Sequence, residues 1–163
     1  ELYVMQHGRD DLHRMFEQYY TVKDNAELPA EEFLLAKKGS DFGWPYCYFD
    51  PKQDKKMLAP EYGGDGKIQG RCGEIEKPLL AFPAHLAPNA LLFYTGDQFP
   101  EKYKNGAFIA FHGSFADGFA GGDDKKASGR VDYRPCGLAQ GPDGSLYVSD
   151  DRKGNIWKIT YKK

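Results

Sequence analysis

The sequence predicts an all-β fold assembled from repeated strand units, and three observations predict it. The segment GPDGSLYVSDDRKGNIWKITY, residues 141–161, reads as a tight turn at Pro142-Asp143-Gly144, a strand over Leu146–Ser149, a polar turn over Asp150–Gly154 and a second strand over Asn155–Tyr161. The opening residues Glu1-Leu2-Tyr3-Val4 echo Ser145-Leu146-Tyr147-Val148, and both copies run into polar residues that include an Asp and an Arg. Aromatics make up 15% of the chain, alongside 19 Gly and 10 Pro, which favours many short strands and turns over a helical bundle. A strand unit that recurs in this way is the mark of a β-propeller blade or a related radial repeat. The first copy lacks its turn, so the chain is expected to start inside a repeat and to be a partial set of blades.

Taken in order, Leu2–Gln6 alternates as a strand. Residues 9–20 place Leu12, Met15, Phe16 and Tyr19 at helical spacing, with Asp10 and Asp11 suited to the positive end of a short helix and His13 on its surface. Residues 25–36 read two ways, as a helical turn from Pro29 or as a strand through Glu32-Phe33-Leu34-Leu35. Residues 37–43 form a turn, and Gly43–Pro51 (GWPYCYFDP) a dense aromatic loop. Residues 51–71 are polar and Gly-rich, so an exposed excursion is expected there. Strands follow over Leu91–Tyr94 and Ala107–His112, joined by a turn over Gly96–Gly106. Residues 116–129 are rich in Gly, Asp and Lys and weakly structured, and no linker divides the 163 residues into two domains.

Net charge is −2 with the two signs interspersed, which predicts neither a nucleic-acid groove nor a membrane-surface face. No apolar run approaches the ~20 residues of a membrane span. Cys47, Cys72 and Cys136 lack zinc-site spacing. Cys47 and Cys72 either form a disulfide, which places the chain outside the reducing cytosol, or remain buried thiols.

Six segments carry a family resemblance: QHGRDDL (6–12), GWPYCYFDP (43–51), FPAHLAP (82–88), LLFYTG (91–96), GAFIAFHGS (106–114) and YRPCGLAQGPDGSLYVSDD (133–151). Together and in this order they resemble the C-terminal half of the glucose/sorbosone dehydrogenase family. The resemblance implies a six-bladed β-propeller that binds pyrroloquinoline quinone (PQQ) and calcium and oxidises sugars by hydride transfer. It also implies a periplasmic or secreted location and a cytochrome c or quinone as electron acceptor.

The same resemblance assigns roles to residues. Carbonyls of Gly8 and Arg9 would bind calcium, with Gln6, His7 and Asp11 lining that site. Main-chain and carboxylate oxygens are the hard ligands calcium takes. On the residues alone, Asp10 and Asp11 equally suit a helix N terminus. Tyr48 and Asp50, completed by Glu74 or Glu76, would hold a second, structural calcium. Asp50 also suits a turn before Pro51. Phe82 would present a flat face to the cofactor and His85 would point toward the channel. Arg134 would pair with a PQQ carboxylate in two-point geometry. His112, at a strand end, would contact cofactor or cap the strand.

Three departures from the family pattern stand out. The family's catalytic-base histidine belongs to a segment that precedes residue 1, so no base is assigned. After Ser114 the usual Trp-Asn-Arg continuation is replaced by Phe115-Ala116-Asp117. An expected Arg is Asp132, with Arg130 at another spacing. Two further functions stay open on the sequence: a non-catalytic calcium- or carbohydrate-binding module, and an interaction protein whose open strand edges pair with a second copy or with the missing half.

Overall fold

The computed structural model describes residues 1–113 and 133–162, so the expectations for Ser114, residues 116–129, Arg130 and Asp132 lie outside the described residues. The all-β expectation holds. Among the described residues, short strands form two three-stranded and two two-stranded antiparallel sheets, and helix is confined to brief insertions. The chain divides into two compact units, described separately below.

The first unit spans 1–87 of the described residues. Its main sheet has the order β1-β2-β5, with β1 at Leu2–Gln6, β2 at Glu31–Ala36 and β5 at Leu80–Phe82. Register pairs Met5 with Phe33 and Glu31 with Phe82. The ambiguity over residues 25–36 resolves as strand: a six-residue helix, α2 (Val22–Glu27), ends before Pro29, and β2 starts two residues after it. A Thr21 capping box opens α2. The Thr21 hydroxyl accepts the Asp24 N–H at 3.1 Å, and the Asp24 carboxylate accepts the Thr21 N–H at 3.0 Å.

The helix expected over 9–20 shrinks to one turn, α1 (Leu12–Met15). Asp11 stands at its N-cap position as expected of an acid near the helix start, but its side chain makes no capping bond. Asp11 sits at φ 64°, its carboxylate held by Arg14 at 2.6 Å, while Asp10 is drawn to His85. His13 is half-buried rather than superficial, because its Nδ1 donates to the Tyr20 carbonyl at 2.7 Å.

The aromatic loop continues into a strand, β3 (Cys47–Asp50), buried along its whole length. It pairs with β4 (Lys55–Leu58), which lies inside the stretch expected to be an exposed excursion. The polar composition of 51–71 concealed this strand. Met57 is fully buried, and Lys56 is buried because an acid waits for it on β2. Leu12, Tyr20, Leu28, Tyr48, Met57 and Ala59 form the core of this unit, with Phe16 packed against it. Each large side chain removed from water there contributes ~1.5–3 kcal/mol.

A disulfide joins Cys47 to Cys72 across 25 residues, with Cα atoms 5.7 Å apart. Cys72 lies in a 3-10 turn, Gly70–Glu74. Gly43, at φ 84°, makes room for the bridge. A Cβ there would fall 2.6 Å from the Cys47 Cβ and 2.8 Å from its sulfur.

The second unit holds a hairpin and a meander. The hairpin pairs β6 (Pro88–Phe93) with β7 (Ala107–Phe111). The meander has the order β10-β9-β8: β8 at Pro135–Gln140, β9 at Leu146–Asp150, β10 at Ile156–Ile159. The expected strands at 91–94, 107–112, 146–149 and 155–161 are all present within a few residues. Strand β8 is not expected from sequence, because Pro, Cys and Gly open it. Tyr94 anchors the unit. Its buried hydroxyl donates to the Gly144 carbonyl at 2.7 Å and accepts the Gln98 and Phe99 N–H groups, both at 3.1 Å. The Phe99 and Phe108 rings pack against it at 5.0 and 5.9 Å.

Candidate functional site

In the first unit two sequence motifs meet at one carboxylate. Strand β2 opens with two consecutive acids, and alternation along a strand sends their side chains to opposite faces. Glu31 is 1% exposed. Its Oε2 accepts the Gly8 N–H at 2.7 Å and its Oε1 accepts the Ala87 N–H at 3.0 Å. The QHGRDDL turn and the FPAHLAP loop are thereby fixed to one side chain. Gly8 suits this close approach, since a Cβ there would lie 2.7 Å from the Pro29 carbonyl oxygen.

His85 adds a second tie between the same loops. Its Nδ1 faces Asp10 Oδ1 at 2.7 Å and its Nε2 faces the Asn25 carbonyl at 2.6 Å. Both partners are oxygen acceptors, and the ring bridges them. Asp11, His85 and Ala87 all occupy the left-handed region, at φ 64°, 61° and 50°. Three non-glycine residues held there around one cluster mark a region whose surroundings dictate the backbone.

The other face of β2 borders a cavity of about 430 Å³. Gln6, His7, Gly8 and Arg9 contribute to its lining, as do Glu32, Trp44, Tyr48, Glu61 and Tyr62 among others. Glu32 is tied to Lys56 Nζ at 2.5 Å, and that ammonium also donates to the Phe42 carbonyl at 2.9 Å. Burial raises the Glu32 pKa, and the nearby Lys56 offsets only part of that rise. Arg9 forms an ion pair with Glu61 and stacks over Phe16 at 5.6 Å. Burial, with the Tyr20 hydroxyl 3.0 Å away, pushes the Tyr48 phenol far up, so it stays protonated.

In the second unit His112, Arg134 and Asp151 form a hydrogen-bonded string. Arg134 is 4% exposed, in contrast to a solvated surface arginine. Its Nη1 donates to His112 Nδ1 at 3.2 Å, so His112 Nε2 carries the proton given to Asp151, whose carboxylate oxygens both lie at 3.0 Å. Asp150 fixes the backbone beneath. Its Oδ1 accepts the Arg134 N–H at 2.6 Å, and its two oxygens also take the Arg152 and Lys153 N–H groups. Burial pulls the Asp150 carboxyl upward, but these three N–H donors outweigh it and hold the pKa below the ordinary range.

The model of the family described as glucose/sorbosone dehydrogenase matches residues 27–158. The chain belongs to the glucose/sorbosone dehydrogenase family. An uncharacterized protein of Borreliella burgdorferi is 27% identical over 192 residues, covering 100% of this chain and 44% of the relative. Two solved structures of a Trichoderma reesei carbohydrate-active enzyme of family AA12 are similar. The calcium structure superposes with a TM-score of 0.57 and the iodide structure with 0.58, each at 21% identity. They are matched over 80% and 81% of this chain and over 42% and 43% of theirs. The chain thus spans less than half the length of the proteins it matches. The fold is of the β-propeller type, and among the described residues it is represented by small sheets, none of them closed.

Among the residues expected to act in this dehydrogenase family, Gln6, His7, Gly8, Arg9 and Tyr48 share the cavity, while Phe82 ends β5 opposite Glu31. The other expected metal ligands are spread out. Asp50 spends its carboxylate on the N–H groups of Lys52 and Gln53 and on the Gln53 side chain. Asp11 pairs with Arg14, and Glu74 is exposed at the end of its 3-10 turn. Among the described residues, no three His, Cys, Asp or Glu side chains converge to hold a metal ion. Glu31, Glu32 and Lys56 went unseen in the sequence. The available signal was the pair of acids opening an otherwise apolar strand, EEFLLA, at positions where a buried strand has no use for charge unless it is paired.

Proposed function

We propose that this chain is part of a sugar dehydrogenase that oxidises an aldose or related carbonyl sugar by hydride transfer to PQQ with calcium assistance. The observation that carries the proposal is the family match over residues 27–158. The buried Arg134–His112 pair with its exposed partner Asp151, and the Glu31-pinned turn at Gly8, support it, because both fall on motifs where the resemblance expects cofactor contacts.

The donor chemistry fits in two places. Arg134 is a buried cation of the kind a PQQ carboxylate requires, and His112 and Asp151 orient its guanidinium. The Gly8-Arg9 turn offers main-chain oxygens to calcium, and Glu31 fixes its shape from the N–H side. Tyr48, Asp50 and Glu74 do not make a calcium set, since Asp50 is committed to its own turn. Bound PQQ would supply the hydride acceptor and calcium a polarising charge. The sugar hydroxyl proton requires a base within hydrogen-bond reach, and none of His7, His85 and His112 is assigned that task. The Cys47–Cys72 disulfide favours an oxidising compartment, so the protein is proposed to act in a periplasm or outside the cell. A cytochrome c or a quinone is the proposed electron acceptor.

Calorimetric titration of the chain with calcium, then with PQQ in calcium, tests the proposal. Saturable PQQ binding that Arg134→Met weakens at least tenfold is expected. Absence of PQQ binding by both this chain and the longer protein would remove the cofactor from the proposal.

A further inference from the structure

The second unit holds a cavity of about 610 Å³, bounded by β7, the turn before it and the β8–β10 meander. Its apolar wall follows from strand register. Leu138 stands opposite Val148, and Ile159 opposite Leu146. Alternation along the strands turns these four side chains to one face of the meander. Leu138 and Val148 remain half-buried and Ile159 is exposed, so the unit's own packing does not cover that face. Packed interiors leave few voids larger than a water molecule, and this volume falls within the ~300–1,000 Å³ of small-ligand sites.

The aromatic wall is set before a ligand arrives. Phe99, Tyr103 and Phe108 meet one another with ring centroids 6.0–6.1 Å apart. The buried Tyr94 hydroxyl accepts the Phe99 N–H, and Gln98 Oε1 accepts the Tyr161 N–H, both at 3.1 Å. Two sides of the cavity are thereby tied together, which lowers the entropy lost on binding.

Charge specifies the head of the ligand. Among the described residues that line the cavity, Lys102 alone is charged. It is exposed, with its ammonium 5.0 Å from the Tyr103 ring centroid. Lys104, two residues on, is taken by Asp97 at 2.5 Å, whereas no described carboxylate pairs with Lys102. An apolar body is favoured by the wall, and an anionic head by the ammonium at its edge.

We propose that this cavity binds a small amphipathic carboxylate, its apolar body against Leu138, Val148 and Phe108 and its anionic head at Lys102. The site stands whether or not the chain binds PQQ, and its test uses neither PQQ nor calcium.

Octanoate, decanoate and decyltrimethylammonium are titrated below their micelle-forming concentrations, by calorimetry and by saturation-transfer NMR. Decanoate is expected to bind saturably at one site, about tenfold more tightly than octanoate, the effect of burying two further methylenes. It should exceed decyltrimethylammonium by about the same factor, with attraction at Lys102 exchanged for repulsion. Lys102→Gln should weaken decanoate about fivefold, the upper range for an exposed ion pair. Lys102→Glu should invert the preference between the two head groups. Lys102 is exposed, so the circular dichroism of both variants should be unchanged. Leu138→Trp fills the cavity and should abolish binding of both carboxylates; if it fails to fold, the Lys102 variants still decide. Absence of a saturable decanoate signal overturns the proposal. So does equal binding of decanoate and decyltrimethylammonium, or an unchanged preference in Lys102→Glu. A chain that sediments as a dimer and binds no decanoate would give the cavity to a second copy instead.

Discussion

Glu31 accepts the backbone N–H of Gly8 at 2.7 Å, across 23 residues of sequence, with an oxygen that is fully buried. Its other oxygen takes Ala87 at 3.0 Å. One side chain therefore sets the spacing of two loops that a cofactor site in this family would draw on. Glu31→Ala strands two N–H groups, each costing ~1–3 kcal/mol when unpaired, so a loss of about 2–6 kcal/mol is expected. Glu31→Gln keeps one acceptor oxygen and should lose about half as much. Urea unfolding checks both. Equal stability of Glu31→Ala and the unaltered chain would show that the two loops hold themselves.

The Glu32–Lys56 pair responds to pH in a definite direction. Burial raises the Glu32 pKa, so the folded state keeps a proton that the unfolded chain has already lost. Its contribution to stability is present below the ordinary Glu value near ~4.3 and is lost as pH rises through the raised folded value. Lys56 opposes this rise. Lys56→Met should cost about 3–5 kcal/mol at pH 7 by leaving a buried anion alone. Much of that loss should return near pH 4, where Glu32 is neutral. The double substitution Glu32→Leu with Lys56→Met should restore most of the stability at pH 7. Thermal unfolding from pH 4 to 8 reads all three, and a pH-independent deficit in Lys56→Met would sink the assignment.

Much of the strand order was legible because residues 2–6, 91–94, 107–112 and 146–149 alternate or carry β-branched and aromatic residues between turn signals. Strand β4 was hidden, because its KKML sequence owes its burial to Glu32 on another strand, and no local pattern encodes a partner 24 residues away. The helix over 9–20 was over-read for a related reason. Its spacing is helical, but Asp10 bonds His85, 75 residues distant, and Asp11 adopts a left-handed backbone. At the candidate site the motifs were visible, while the groups that join them were not. Glu31 sits in a segment that matched none of the six motifs.

Asp150 governs the acid side of the second unit. Burial pulls its carboxyl up, but the Arg134, Arg152 and Lys153 N–H groups win and hold it below the ordinary value. A depressed folded pKa gives stability that is present above the unfolded value near ~3.9 and is lost as pH falls through the folded one. Asp150→Asn should flatten that acid-side slope. It should also loosen Arg134, whose backbone N–H lies 2.6 Å from Asp150. Acid titration followed by tryptophan fluorescence tests the first effect, since Trp157 lies in the same meander. Backbone amide exchange at Arg134 tests the second. An unchanged acid midpoint in Asp150→Asn would assign the slope to other carboxylates.

The disulfide links stability to an aromatic platform formed by Tyr46 and Tyr62. Closing a loop of 25 residues restrains the unfolded chain by ~3 kcal/mol in the chain-entropy account. Replacing Cys47 and Cys72 together by Ala should cost about that much, and a reducing agent should lower the melting temperature of the unaltered chain but not of the variant. The local consequence is more specific. Gly43 is shaped around the Cys47 side chain, and Tyr46, whose ring meets the Tyr62 ring and the Arg71 guanidinium each at 4.5 Å, is the chain neighbour of Cys47 as Arg71 is of Cys72. Loss of the bridge should therefore raise the mobility of Tyr46 and Tyr62 while leaving the second unit's strands unchanged. Hydrogen exchange resolved by residue makes the comparison. Faster exchange across residues 43–48 and 70–74, with unchanged protection of the strand at 146–150, is the expected pattern. A uniform loss of protection in both units would instead mean that the bridge acts on global stability alone, and that the platform owes its order to packing.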